Sequence, residues 1–274
     1  MGRPGAIDMS VPGVLRAMWR YRSFIAGNVE RELRLRYTGS VLGVAWNVLE
    51  PLALVLIYVV VFSEVMHARL PGSGDRHDYG VYVLAGMLVW LAFSEIVGRC
   101  VNLFIDNANL LKKAAFPRVT LLASAIASSL VNVGLIAVLF ATVLVAIGRF
   151  PGWVTLTLLA PLAVTVVLAA GLGIFLGTLN VLFRDVGHVT TIALQFWFWL
   201  TPIVYPRSVL PEAFRSAVAW NPLAPLVAAF QSVFVTARAP DWPSLAGVSA
   251  GALVVFALGY ALFKGNAATL VDEL

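Results

Sequence analysis

Apolar positions in this chain neither alternate with polar ones nor stay confined to one helical stripe; over most of its length they run together. Six such runs, of 17 to 30 residues, can be drawn: Leu42 to Met66, Tyr79 to Leu103, Val119 to Ile147, Trp153 to Leu182, Val189 to Tyr205 and Ser244 to Phe263. A helix rising 1.5 Å per residue needs about 20 residues to cross a hydrocarbon core of ~30 Å. The runs exceed the ~10-residue strands of an outer-membrane barrel, and the Ser, Thr and Asn that interrupt them keep no period of two. The pattern therefore predicts an all-α integral membrane protein with six transmembrane helices.

Two stretches depart from it. Before the first run, Val14, Leu15, Met18, Tyr21, Ile25, Val29 and Leu33 share one helical face, with Arg16, Arg20, Ser23, Glu30, Arg31 and Arg34 on the other, the signature of an amphipathic helix lying on a membrane surface. It serves either as an anchor beside anionic lipid or as a collar that also touches a cytoplasmic partner. Between the fifth and sixth runs, Pro211, Glu212 and Ala213 start a short helix, and Asn221 with Pro222 caps a second one running to about Thr236. These helices are apolar but too short to span, so residues 206–236 read as a re-entrant hairpin. The expected organisation is an interface segment over residues 1–41 followed by one transmembrane domain over 42–274.

Composition supports this class. Of the 274 residues 60% are hydrophobic and 12% charged, about half the charged share of a soluble domain. With both termini inside, the inner segments hold twelve Lys and Arg against six in the outer ones; this bias predicts cytoplasmic termini. The first 41 residues carry seven arginines and no secretory signal is read in them. The net charge of +5 is spread over segment ends, which suits membrane flanks and not nucleic acid. Cys100 is the single cysteine, so no disulfide and no Cys-based metal spacing arises.

Catalytic motifs are missing: no GxxxxGK[ST] loop, no HExxH, no GxSxG. Intramembrane polar groups are the next candidates. Glu95 and Arg99, four apart on the second run, can pair on one face as a structural link or as part of a gate. Thr120, Ser124, Ser128 and Asn132 form a polar stripe on the third run, and Ala169, Gly173 and Gly177 a small-residue ridge on the fourth. Phe196, Trp197, Phe198 and Trp199 are consecutive, with Trp46, Tyr58, Trp90 and Phe93 on earlier runs. They are read either as belt and core aromatics or as a channel lining, formed by Tyr58, Trp90, Phe93 and Phe196 to Trp199, on which sugar rings could stack.

Several stretches, in order, resemble one family. Arg36 to Trp46 followed by Glu50, Pro51 and Leu52 is similar to the start of the first span in ABC-2 type permeases that export polysaccharides such as O-antigen, capsule and teichoic acid. Asn109, Leu110, Leu111, Lys112, Lys113, Ala114, Ala115, Phe116, Pro117 and Arg118 resemble that family's loop onto its ATPase subunit. Asn180 with Phe183, Arg184, Asp185, Val186, Gly187 and His188 resembles its cytoplasmic turn between spans four and five. Leu200 to Tyr205, and Asn221, Pro222, Leu223 and Phe230, match the end of span five and the outer hairpin.

The resemblance implies a homodimer paired with two ATP-binding cassette subunits in the bacterial inner membrane, exporting an undecaprenyl-diphosphate-linked glycan. ATP and Mg would be bound by the partner, with no cofactor in this chain. It also implies ATPase contacts through Asn109, Leu110, Leu111, Lys112, Lys113, Phe116 and Arg118, and a cytoplasmic turn at Arg184, Asp185 and His188. The alternatives are an ABC-2 exporter of a drug or lipid, and a membrane enzyme acting on polyprenyl-linked sugars.

Overall fold

The computed structural model describes residues 19–35, 42, 45–60, 78–109 and 118–266. Among them the elements are α1 (Arg22–Leu35), α2 (Trp46–Val60), α3 (Asp78–Asp106), α4 (Arg118–Ala146), a 3-10 segment (Gly152–Leu158), α5 (Leu159–Leu182), α6 (Asp185–Leu200), α7 (Glu212–Ala219), α8 (Leu223–Thr236) and α9 (Trp242–Gly265). A further 3-10 turn covers Arg207–Val209. Every described element is helical. The helical stretches Asp78–Asp106, Thr120–Ala146, Gly152–Leu182 and Trp242–Gly265 are long and apolar enough to cross a membrane.

Helix α3 is the axis of the fold. Val83, Leu84, Ala85, Ala92, Phe93 and Ile96 are fully buried on it, and α4, α5, α6 and α8 all pack against it. Its apolar residues are covered by these neighbours, while the face that carries Ser94, Glu95, Gly98, Arg99 and Asn102 is partly open. Helix α5 lies between α3 and α9 and makes its two most extensive contacts with them. The approach is close because the ridge residues carry no side chain: a Cβ built on Gly173 or Gly177 would stand 2.5 Å from atoms of Cys100 on α3, and one on Gly171 2.5 Å from the Phe256 backbone on α9. The small-residue run on the fourth segment is thus a packing seam on two sides. Helix α1 packs on α4, with Tyr21, Phe24, Ile25, Asn28 and Val29 partly covered and Arg22, Glu30, Arg31 and Arg34 exposed.

Element ends differ from the expectation in two places. The fourth run does not begin as an α-helix: its first seven residues, Gly152–Leu158, are a 3-10 segment. It follows a turn in which Gly148 and Gly152 take φ of +70° and +69°, values that side-chain-bearing residues adopt at a steric cost. The fifth run is displaced toward the N-terminus. Helix α6 starts at Asp185, where a carboxylate in the first turn suits the helix dipole, and stops at Leu200. Thr201, which precedes Pro202, is extended at φ −101° and ψ 132°, as the proline ring requires. At 16 residues α6 is about 24 Å long, and Thr201 to Tyr205 form a turn instead of its last coil. The first run is described only as α2; residues 61–66 lie outside the described residues.

Candidate functional site

The aromatic residues on α3 and α6 meet along one line. Phe93 stacks edge-on against Trp197 with centroids 5.2 Å apart, and Trp90 against Phe198 at 5.4 Å; both are tilted geometries favoured by the ring quadrupole. Beside this zipper runs a groove of about 440 Å³ lined by Trp90, Ser94, Gly98, Thr191, Gln195 and Trp199, with Leu194 and Phe198. Its wall combines the aromatic Trp90, Phe198 and Trp199 with the polar Ser94, Thr191 and Gln195. Phe93 is fully buried and does not reach the groove surface; its ring meets Trp197, which does not line the groove either. Phe196 is 69% exposed and does not line the groove, whereas Trp199, 64% exposed, lies at its edge. The side chain of Tyr58 lies outside the described residues.

The Glu95 carboxylate accepts from Arg99 Nη2 at 2.7 Å and from Arg99 Nε at 3.0 Å, and its second oxygen accepts from Asn132 Nδ2 of α4 at 2.8 Å. One carboxylate therefore ties the polar stripe of α4 to α3. The rest of that stripe acts differently. Thr120, Ser124 and Ser128 are buried, and the Ser124 and Ser128 hydroxyls have no hydrogen-bond partner among the described residues, so the serines serve there as small residues at a helix contact.

Both ends of α6 are held by buried amides. At the Asp185 end, Asn180 of α5 accepts from the Gly187 amide at 2.8 Å and donates to the Val101 carbonyl of α3 at 3.0 Å. At the Leu200 end, Asn221 Oδ1 accepts from Trp197 Nε1 and from the Leu223 amide, both at 3.0 Å. Its Nδ2 donates to Thr201 Oγ1 at 2.9 Å and to the Leu200 carbonyl at 3.2 Å. Asn221 thus caps α8, as the Asn-Pro pair predicts, and also locks the end of α6. The following turn is fastened by Tyr79 to the Val204 carbonyl at 2.5 Å, Gln231 to the Pro202 carbonyl at 3.1 Å, and longer bonds from Tyr82. A buried non-helical turn leaves its carbonyls without ladder partners, and these donors meet that need.

In the turn between α5 and α6, Arg184, Asp185 and His188 are exposed, and none makes a side-chain hydrogen bond or ion pair with another described residue. Of the loop residues, Asn109 is exposed and Arg118 opens α4, its side chain undescribed. Leu110, Leu111, Lys112, Lys113 and Phe116 lie outside the described residues. No group of three or more His, Cys, Asp or Glu able to hold a metal occurs among the described residues.

Residues 25–235 match the family model described as ABC-2 type transporter. The chain belongs to the ABC-2 type transporter family. Among relatives, it is 30% identical over 263 residues to the O-antigen export system permease protein RfbA of Myxococcus xanthus, covering 95% of this chain and 99% of that one. It is 28% identical over 207 residues to RfbA of Klebsiella pneumoniae, covering 75% and 77% of the two chains. To the polysialic acid transport protein KpsM of Escherichia coli it is 26% identical over 235 residues, covering 85% and 90%. The ABC-2 match takes in α2 to α8 with most of α1, and so includes the aromatic zipper, the groove and both amide locks.

Sequence reasoning missed the central part of Asn180, the fourfold bonding of Asn221, the Gln231 contact, and the ion pair between Asp78 and Arg149. A signal existed for the amides. A lone Asn or Gln in an apolar run has donors and acceptors that burial obliges it to satisfy, and such a residue marks a junction before the partner is known.

Proposed function

We propose that this chain is the membrane permease subunit of an ATP-driven exporter of a lipid-linked polysaccharide, working as a homodimer with two separate ATP-binding subunits in the bacterial inner membrane. The groove between α3 and α6 carries the reading. A polymer in transit must not be trapped, so weak, repeated contacts suit it better than a deep pocket of strong hydrogen-bond sites. Ring faces that stack on the apolar sides of sugars, spaced by Ser94, Thr191 and Gln195, supply contacts of that kind. The ABC-2 relatives named for O-antigen export and polysialic acid transport support the same substrate class.

In this reading six segments cross the bilayer, the shorter α2 and α6 among them, and both termini are cytoplasmic. The Asp106 end of α3 faces the cytoplasm, and the 107–118 loop receives the ATPase partner, with Phe116 as apolar anchor between Lys113 and Arg118. ATP and Mg are held by that partner. Helices α7 and α8 re-enter from the outer face. Glu95 and Arg99 fix the α3–α4 contact beside the path.

Deleting the gene and restoring it with the wild-type chain or a Trp90→Leu, Phe198→Leu variant tests this function. Deletion should remove one surface glycan and leave its lipid-linked form inside the cell. The double variant, which keeps bulk and loses the ring faces, should restore export at least tenfold more slowly at equal membrane level. Unchanged surface glycan after deletion, with a drug or lipid phenotype in its place, would overturn the substrate class.

A further inference from the structure

Asn180 lies in the last turn of α5 and is 1% exposed. An asparagine amide offers two N–H donors and one carbonyl acceptor, and here the two ends address different helices. Nδ2 donates to Val101 O at 3.0 Å and to Asn102 Oδ1 at 3.3 Å, both on α3. Oδ1 accepts from Gly187 N at 2.8 Å in the first turn of α6. That turn has no cap of its own: the side chain of Arg184, which precedes it, makes no capping bond. The first amides of a helix need acceptors from outside the helix, and Asn180 supplies one from α5. The fit is tight, since a Cβ on Gly187 would meet Asn180 Oδ1 at 3.2 Å, Nδ2 at 3.3 Å and Asn102 Oδ1 at 3.4 Å and would press the amide aside by a few tenths of an ångström.

The position of this junction gives it a consequence. Four residues beyond Asn102, α3 ends at Asp106, next to the 107–118 segment that the proposed function gives to the ATPase partner. On the other side, α6 runs from Gly187 to Thr191, Gln195, Phe198 and Trp199 along the groove. Helix α5 packs closely on α3 next to this junction, with Gly177 seated against the Cys100 carbonyl. A movement of the α3 end therefore reaches the start of α6 through this amide, while the Phe93–Trp197 and Trp90–Phe198 ring contacts join the two helices further along.

We propose that Asn180 is a positioning residue that couples the cytoplasmic end of α3 to α6, so that a push on the 107–118 loop becomes a change in the angle of the groove-lining helix. The proposal rests on the reading that this loop receives the ATPase. It concerns coupling and not substrate contact, since Asn180 does not line the groove.

The two halves of the junction can be cut separately. Asn180→Asp keeps shape and the acceptor for Gly187 but replaces the donor facing Val101 O with a second acceptor. Gly187→Ala presses on the amide from the α6 side with every original group still present. Each variant is purified as the complex with its native ATP-hydrolysing partner, and ATP hydrolysis is compared with surface glycan measured in cells at matched complex level. Asn180→Asp should co-purify normally, hydrolyse ATP within about twofold of wild type and export at least tenfold less; Gly187→Ala should show a smaller loss of the same kind.

Export unchanged per assembled complex overturns the proposal, as does a parallel fall of hydrolysis and export, or a loss confined to the amount of complex. The docking reading is tested apart, with Phe116→Ala, Lys113→Glu. If that variant binds the partner and exports normally while Asn180→Asp uncouples, the loop assignment fails and the junction stands.

Discussion

The α3–α5–α9 layer and helix α6 are held in opposite ways. In the layer, backbones touch: the Gly171 carbonyl oxygen lies 2.3 Å from where a Cβ on Gly259 would stand, and the Phe256 Cα 2.5 Å from one on Gly171. Helix α6 leaves Val189, Ile192, Phe196, Trp199 and Leu200 exposed; Trp197 and Phe198 meet α3, and Asn180 and Asn221 tie its two ends. A glycine seam gains from many small contacts that vanish together if the backbones part. A helix fixed at its ends by a few directional bonds can turn while most of its surface stays as it was. The layer, or frame, is held by backbone contact along its length, and α6 by the rings of Trp197 and Phe198 and by one amide at each end.

The strongest way to break this comparison is to separate the frame. Gly171→Val places a branched side chain against backbone atoms of α9, which cannot rotate aside. Overpacking of a tight core costs ~1–3 kcal/mol and more where backbone must move, so the upper end, about 3 kcal/mol or more, is expected. The measurement is the fraction of monodisperse protein after detergent extraction and heating, and it should fall to near nothing. A stable, exporting Gly171→Val protein would show that the seam is slack and the contrast with α6 false.

The next effect sharpens the comparison from the α6 side. Asn221→Ala removes an acceptor from the Trp197 indole N–H and the Leu223 amide, together with the donors to Thr201 and Leu200. Leaving buried polar groups unpaired costs ~1–3 kcal/mol each, offset where water reaches the turn, and a net loss of about 2 to 3 kcal/mol is expected. Asn221→Asp retains both acceptor roles and should lose roughly half as much. Melting curves of the two variants in one detergent decide this. Equal losses would mean that the acceptor bonds from Trp197 and Leu223 add nothing to the hold on the end of α6.

How much of this was legible in the sequence follows the same division. The frame was visible because hydrophobic burial leaves long apolar runs, so the helices over Asp78–Asp106, Arg118–Ala146 and Trp242–Gly265 fall within a few residues of the expected spans. The Glu95–Arg99 pair was visible because four-residue spacing fixes a face. The ends of α6 were not, because hydropathy continues through Thr201 to Tyr205 while Pro202 ends the helix, and because the anchoring amides come from elements 7 and 24 residues away from their partners Gly187 and Trp197. Arg184 and Asp185 drew attention by their charge, yet the residue that caps the turn is the uncharged Asn180. For the channel set, spacing could name Trp90 and Phe93 but could not tell the ring beside the groove from the ring behind it.

The smallest expected effect tests whether the glycine argument is about contact or about glycine as such. Gly251 and Gly259 lie on the same helix, α9, eight residues apart. Nothing stands within 4 Å of a Cβ built on Gly251, whereas one on Gly259 would meet the Gly171 carbonyl. Alanine in place of glycine inside a helix is ordinarily favourable by ~0.5–1 kcal/mol. Gly251→Ala should therefore leave melting unchanged or raise it slightly, while Gly259→Ala lowers it clearly. Because both substitutions add one methyl group to one helix, propensity and hydrophobicity cancel between them, and only the neighbour differs. If Gly251→Ala proved as damaging as Gly259→Ala, the face of α9 that carries Gly251 would have a contact partner beyond this single subunit, and the frame would have to be redrawn to include it.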